Sequence, residues 1–241
     1  MNYLNYIKEN NINTYDELRT HFMNEPLKFS VYDKDDLAII SFNRNKKYEK
    51  KYENLIKECN GLIINKNKID EIKCYGLNKS DEVLVEKKEL FKLDLNRKLP
   101  NNFSECYVQE LIDGTLIKLF YHKEQWRIAT CGMIDAYKSF WHDTKQSFGE
   151  MFYDCANYFK LDTSLMDTNC SYVFMMCHPR NKIVVYNSIP KLYHILTRNN
   201  KTFQVIDDNI NSKRPKKYKF TTSEQTPLIL LSLPFYIPGF M

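Results

Sequence analysis

The stretch that most constrains the fold is Tyr107 to Ala136, YVQELIDGTLIKLFYHKEQWRIATCGMIDA. It opens with the strand-type run Tyr107-Val-Gln-Glu-Leu111, breaks at Asp113-Gly114, and resumes as the alternating segment Thr115 to Tyr121. An Asp-Gly pair between two β-rich runs predicts a tight turn and a hairpin partner, and Trp126 to Thr130 reads as a third strand.

The flanking sequence supplies helices and further strands. Thr14-Tyr-Asp-Glu17 is a capping box, in which the threonine hydroxyl and the Glu17 carboxylate each satisfy a free backbone amide, so a short helix should run to about Asn24. Leu27 to Ser41 reads as two strands around Asp33-Lys-Asp-Asp36, and Asn43 to Lys51 as a charged loop or helix start, either a solvated face or a phosphate-contacting patch. Glu58 to Ile64 leads into a strand that turns near Asn65 to Lys68 and returns over Ile69 to Tyr75. Asp81 to Lys98 is a short helix or irregular connector. Phe148, Met151, Phe152, Cys155 and Phe159 recur at helical spacing behind Ser147, an N-cap candidate with Glu150 three residues on, and this stripe should be core. Tyr172 to Cys177 is an apolar strand, followed by a turn at His178-Pro-Arg-Asn181 and the run Lys182 to Tyr186. Lys191 to Arg198 and Phe203 to Ile206 form the next hairpin layout, and Ser223 to Leu233 a short apolar helix interrupted by Pro227.

Composition excludes several classes. A chain of 241 residues can bury one substantial core, and one main domain over 1–241 is expected. With 43% hydrophobic residues but only six glycines and eight prolines, it is neither disordered nor fibrous. No apolar run is long enough to span a membrane, so no membrane contact is expected, and Met1 to Asn11 lacks the apolar core of a signal peptide; the cysteine usage that follows fits the cytoplasm or another reducing compartment. Seven cysteines without a Cys-x-x-Cys pair give no disulfide framework and no zinc knuckle. Cys177 and His178 would face opposite ways on a strand, so no metal site is expected. The formal charge of +5 suits a protein that meets polyanions, and the basic hexad Arg214-Pro-Lys-Lys-Tyr-Lys219 offers Arg214, Lys216, Lys217 and Lys219 for a phosphate backbone with Tyr218 to stack a base; surface turn chemistry is the competing account.

Three strings carry a family resemblance. Glu110-Leu111-Ile112-Asp113-Gly114-Thr115-Leu116-Ile117, with Trp126 to Gly132 and Asp135-Ala136 behind it, resembles the core of phage-type ATP-dependent RNA ligases of the nucleotidyltransferase superfamily. There the turn reads Lys-x-Asp-Gly, and the lysine attacks the α-phosphate of ATP to form a lysyl-adenylate; the lysine position here is Leu111. Glu58-Cys-Asn-Gly-Leu-Ile-Ile64 is similar to the family's Arg-Gly before an apolar strand, with Asn60 at the arginine position and Gly61 retained. Phe174 to Val185 is similar to Phe-Glu-Leu followed by Pro-x-Asn-Arg-Ile-Val, with Met175 at the glutamate position. Active relatives continue into a Glu-Gly strand and a strand bearing lysines; Pro238 precedes Gly239 here, and the lysine strand would lie beyond the terminus.

The resemblance, spanning roughly Glu58 to Val205, implies an α+β fold with antiparallel sheets and a few flanking helices, like the adenylation domain of RNA ligases without its C-terminal strands. Its nucleotide pocket would include Glu110, Leu111, Asp113, Gly114, Met175, Asn60 and Gly61. Nucleotidyl transfer needs an amine nucleophile and charges to hold a triphosphate and Mg²⁺. Leucine has no nucleophile, methionine is a poor ligand for a hard cation, and asparagine cannot carry the charge of an arginine. The leading expectation is therefore a catalytically degenerate RNA-ligase-like protein that binds RNA ends or a nucleotide, or supports a protein partner. Its pocket floor would be refilled as ordinary core by Leu111 and Met175. The alternative is an ATP- and Mg²⁺-dependent RNA ligase using a displaced lysine, with Lys118 first and Lys79, Lys182 and Lys191 behind it. A third class is a structural or protein-binding module with a closed cleft.

Overall fold

The run Leu37 to Ile40 is apolar at consecutive positions because its strand is buried on both faces. In the computed structural model, which describes residues 1–79, 107–142, 144–208 and 210–219, this strand lies between a helical layer and a second sheet. The expected elements at 81–98 and 223–233, and the Pro238-Gly239 pair, lie outside the described residues.

The N-terminal half carries α1 (Asn2–Glu9), α2 (Tyr15–Met23), β1 (Ser30–Lys34), β2 (Leu37–Ser41), a 3-10 turn at Lys50–Tyr52, α3 (Glu53–Glu58), β3 (Asn60–Asn65) and β4 (Lys68–Cys74). The four strands form an antiparallel sheet in chain order. Further along come β5 (Tyr107–Gln109), β6 (Thr115–His122), β7 (Gln125–Ala129), α4 (Phe148–Tyr158), β8 (Cys170–Cys177), β9 (Lys191–Asn199), β10 (Val205–Ile206) and β11 (Lys217–Lys219). Five of these build a second antiparallel sheet in the order β10-β9-β8-β6-β7, while β5 and β11 pair with each other.

Strand periodicity sorts side chains into layers. Ala38, Ile40, Leu62 and Ile64 face Tyr3, Ile7, Leu18 and Phe22 of the first two helices. The alternate residues Leu37, Ile39, Ile63 and Cys74 meet Phe120 and Ala129 of the second sheet. On the far side of that sheet, Ile117, Leu119, Phe174 and Met176 lie under Phe148, Met151, Phe152 and Cys155 of α4. The order is thus helices, sheet, sheet, helix. Both capping boxes form as the sequence indicates, Thr14 with Glu17 and Ser147 with Glu150.

Helix α1 carries no side-chain cap of its own. Its free amides are taken by the buried Glu58 carboxylate, which accepts from the backbone N–H of Asn2 and of Tyr3, both at 2.9 Å. A carboxylate there also suits the positive end of the helix dipole. This cap comes from a residue far along the chain, so local pattern reading does not find it.

One expectation is corrected. Tyr107 to Leu111 and Thr115 to Tyr121 do not form a hairpin: β8 takes one edge of β6 over Thr115 to Phe120, β7 takes the other over Lys118 to His122, and β5 pairs with β11 instead. The run after the His178 turn joins no strand, although Ile183, Val184 and Tyr186 are apolar. Its backbone donors are committed elsewhere.

Candidate functional site

Those donors meet the Asp113-Gly114 turn. The Asp113 carboxylate accepts from the backbone N–H of Val184 at 2.9 Å and of Val185 at 2.7 Å, while its carbonyl accepts from the Cys177 thiol at 3.2 Å. Next door, Asn181 donates its side-chain amide to the Thr115 hydroxyl at 2.7 Å. The loop that the sequence pattern marks with Pro-x-Asn is therefore a clamp on the turn. Gly114 is required by close approach, because a Cβ there would lie 2.5 Å from the Met176 carbonyl and 3.1 Å from both Cys177 Sγ and Met175 Cγ.

Leu111 and Met175 flank this turn, with Met175 opposite Leu116 across β6 and β8. Both are only half-buried and neither belongs to a buried cluster, so the expected refilling as ordinary core is not what the fold does. The structural reason lies in their placement: Leu111 sits in the irregular link between two sheets, and Met175 alternates with the buried Phe174 and Met176. Glu110 is bound to the segment before β11, donating its backbone N–H to the Lys216 carbonyl at 2.8 Å and accepting the Lys216 N–H on its carboxylate at 3.3 Å.

Asn60 stands at the start of β3, half-buried, donating to the Leu77 carbonyl at 3.2 Å. Gly61 follows with φ +81°, a conformation that costs an L-residue energy, and a Cβ there would lie 2.6 Å from the Cys131 carbonyl. Its own carbonyl accepts from the Lys118 amine. Lys118 is fully buried, its stem passing Gly76, where a Cβ would lie 2.8 Å from Lys118 Cδ. Gly61 of β3 and Gly76, just past the end of β4, thus leave room for one lysine of the second sheet. Strand parity carried the signal for this facing, since Lys118 and Phe120 are two apart on β6 and Phe120 fills the layer between the sheets.

The other lysines considered are dispersed. Lys191 donates to the Asn187 side chain at 3.0 Å, Lys182 is exposed, and Lys79 is exposed with its ammonium 5.4 Å from the Phe42 ring centroid. Burial pushes the Cys177 thiol up to about 12 against the pull of Lys191, with Asp113 adding to the rise, so it is no thiolate substitute for an amine near neutral pH. Among the described residues no group of three or more His, Cys, Asp or Glu side chains could hold a metal ion.

The basic hexad is divided by the fold. Arg214 pairs with Asp207 at 3.1 Å and Asp208 at 3.5 Å, and Asp208 in turn accepts from the Thr197 hydroxyl, which bonds the buried His194 ring at 2.9 Å. Burial holds the His194 pKa down, opposed by Asp208. Arg214 therefore ties the chain to β9. Lys216 and Lys217 are exposed, while Tyr218 and Lys219 continue the backbone of β11 beside Val108 and Tyr107.

Comparison with known proteins agrees with this architecture. No family model matches the chain. A putative bifunctional polynucleotide kinase/RNA ligase of Autographa californica nuclear polyhedrosis virus is 25% identical over 216 residues, covering 83% of this chain and 29% of that protein. The chain thus spans under a third of that relative's length. Among solved structures, a putative ATP-dependent DNA ligase from Aquifex aeolicus superposes with a TM-score of 0.50 at 13% identity, over 90% of this chain and 54% of that one. The α+β arrangement of antiparallel sheets and few helices is therefore similar to an ATP-dependent ligase fold. No helix among the described residues is long and apolar enough to cross a membrane.

Proposed function

We propose that the chain is a single nucleotidyltransferase-type domain, related to RNA ligases, that holds a nucleic-acid strand without forming a lysyl-adenylate. The observation that carries this reading is Leu111. The turn it precedes keeps its aspartate, its glycine and a full set of clamping hydrogen bonds, yet the side chain at the position of the family's nucleophile is an alkyl group. Loss of charge at Asn60 and Met175 runs in the same direction, because a triphosphate and its Mg²⁺ need compensating groups.

A ligase with a displaced lysine would have to use Lys118, whose amine is enclosed and donates to Gly61. Burial of that kind does not supply an amine in line with an α-phosphate. The similarity to an RNA ligase of the viral relative makes RNA the strand of choice. The test is a paired assay on the whole chain: salt-sensitive retention of single-stranded RNA, and absence of joined product from 5′-phosphorylated RNA with ATP and Mg²⁺. Failure to retain RNA would defeat the binding reading, and joined product would establish the displaced-lysine alternative.

A further inference from the structure

The loop between β2 and α3 closes on itself: the Asn43 backbone N–H donates to the Tyr48 hydroxyl at 2.9 Å, and the Asn45 N–H donates to the Asn43 side chain at 3.0 Å. Together with α3 and Lys79 in the segment that follows β4, this loop walls a cleft of about 330 Å³. Phe42, Tyr48 and Ile56 give it apolar and aromatic surface, and Arg44, Lys46, Lys50, Lys57 and Lys79 give it charge.

The charges do not cancel. Lys57 pairs with Glu53 at 2.8 Å, Lys46 pairs with Glu25, and Glu49 is taken by Lys51 at 2.9 Å. Both carboxylates of the cleft wall are thereby used, and Arg44, Lys50 and Lys79 have no carboxylate partner among the described residues. Lys79 is held at the wall by its backbone, which donates to the Lys57 carbonyl at 2.9 Å, and by the Phe42 ring beneath its ammonium. Three cations without a carboxylate partner among the described residues, set around one cleft, concentrate anions there. By contrast Arg214, which the sequence offers for the same task, is spent on Asp207 and Asp208.

We propose that this cleft, through Arg44, Lys50 and Lys79, is the surface that binds the phosphates of a single-stranded nucleic acid. The proposal deepens the reading of the chain as a nucleic-acid binder and rests on it. Each phosphate contact displaces condensed counterions, so the slope of log K against log salt should fall in magnitude by about 2 when three contacts are removed, at about 0.7 per contact for single strands.

The experiment compares full-chain wild type, the triple variant Arg44→Gln/Lys50→Gln/Lys79→Gln and the hexad variant Lys216→Gln/Lys217→Gln, using a fluorescent single-stranded RNA oligonucleotide over a salt series. All five positions are exposed, and unchanged thermal melting verifies the fold. The expected result is at least tenfold weaker binding and the shallower slope for the triple variant, with the hexad variant close to wild type. Equal binding by wild type and triple variant, or loss confined to the hexad variant, would overturn the proposal while leaving nucleic-acid binding intact. No binding by wild type would instead defeat the underlying reading.

Discussion

The join between the two sheets is most exposed to test at Gly61. An alanine there has two separate costs. The first is conformational: φ +81° puts an L-residue in the left-handed half of the map, at about 1–2 kcal/mol. The second is steric, because the new methyl would stand 2.6 Å from the Cys131 carbonyl, 2.9 Å from Cys131 Cα and 2.7 Å from the Lys118 amine. Two of these neighbours are backbone and cannot step aside, and overpacking of that kind costs about 1–3 kcal/mol. Their sum predicts a loss of about 2–5 kcal/mol in urea unfolding, followed by the fluorescence of Trp126 and Trp141. Gly132 is the control, since nothing lies within 4 Å of a Cβ built there, and Gly132→Ala should stay within about 0.5 kcal/mol of wild type. Equal midpoints for Gly61→Ala and Gly132→Ala would refute the packing of Lys118 between Gly61 and Gly76.

Three shorter predictions follow from other contacts. On the proposed reading, Leu111→Lys alone should not confer RNA joining in a ligation assay, because Asn60 and Met175 would still leave a triphosphate and its metal without charged partners; robust joining would show that one residue separates the chain from activity. Ser147→Ala should destabilise the chain by about 1 kcal/mol in chemical unfolding, since it removes the oxygen that accepts from the Glu150 N–H at 3.2 Å. Lys123, bonded at 2.8 Å, depresses the Asp36 pKa to about 2, against a rise from burial and with help from His122. A depressed carboxylate stabilises the fold above its unfolded value near 4 and loses that contribution as pH falls through about 2. Allowing for screening on the exposed Lys123 side, Asp36→Asn should therefore erase about 1 kcal/mol of the wild type's fall in stability between about pH 4 and pH 2, read by pH-dependent unfolding.

What the sequence made legible was local. Capping boxes at Thr14 and Ser147, the helical stripe of α4 and the strand turns at Asp33 to Asp36 and Asn65 to Lys68 are each specified by residues within a few positions of one another, and they appear as read. Helix α1 was not legible because its cap is Glu58. The partner of β5 was not legible either: an Asp-Gly turn favours a hairpin locally, but the edges of β6 are claimed by β7 and β8, and only the tertiary arrangement settles that competition. At the candidate site, the spacing of the three strings located the turn and its clamp, whereas the degree of burial of Leu111 and Met175 depends on sheet boundaries that spacing does not encode. The pairing of Arg214 with Asp207 and Asp208 shows the same limit, since a run of cations says nothing about which carboxylates fold against it.

The central claim, a ligase-like scaffold with an alkyl group where the transferring amine would stand, is tested most directly by intact mass measurement of the whole chain after exposure to ATP and Mg²⁺. The account predicts an unchanged mass. A species heavier by one AMP, mapped to Lys118 or to any other lysine, would contradict it.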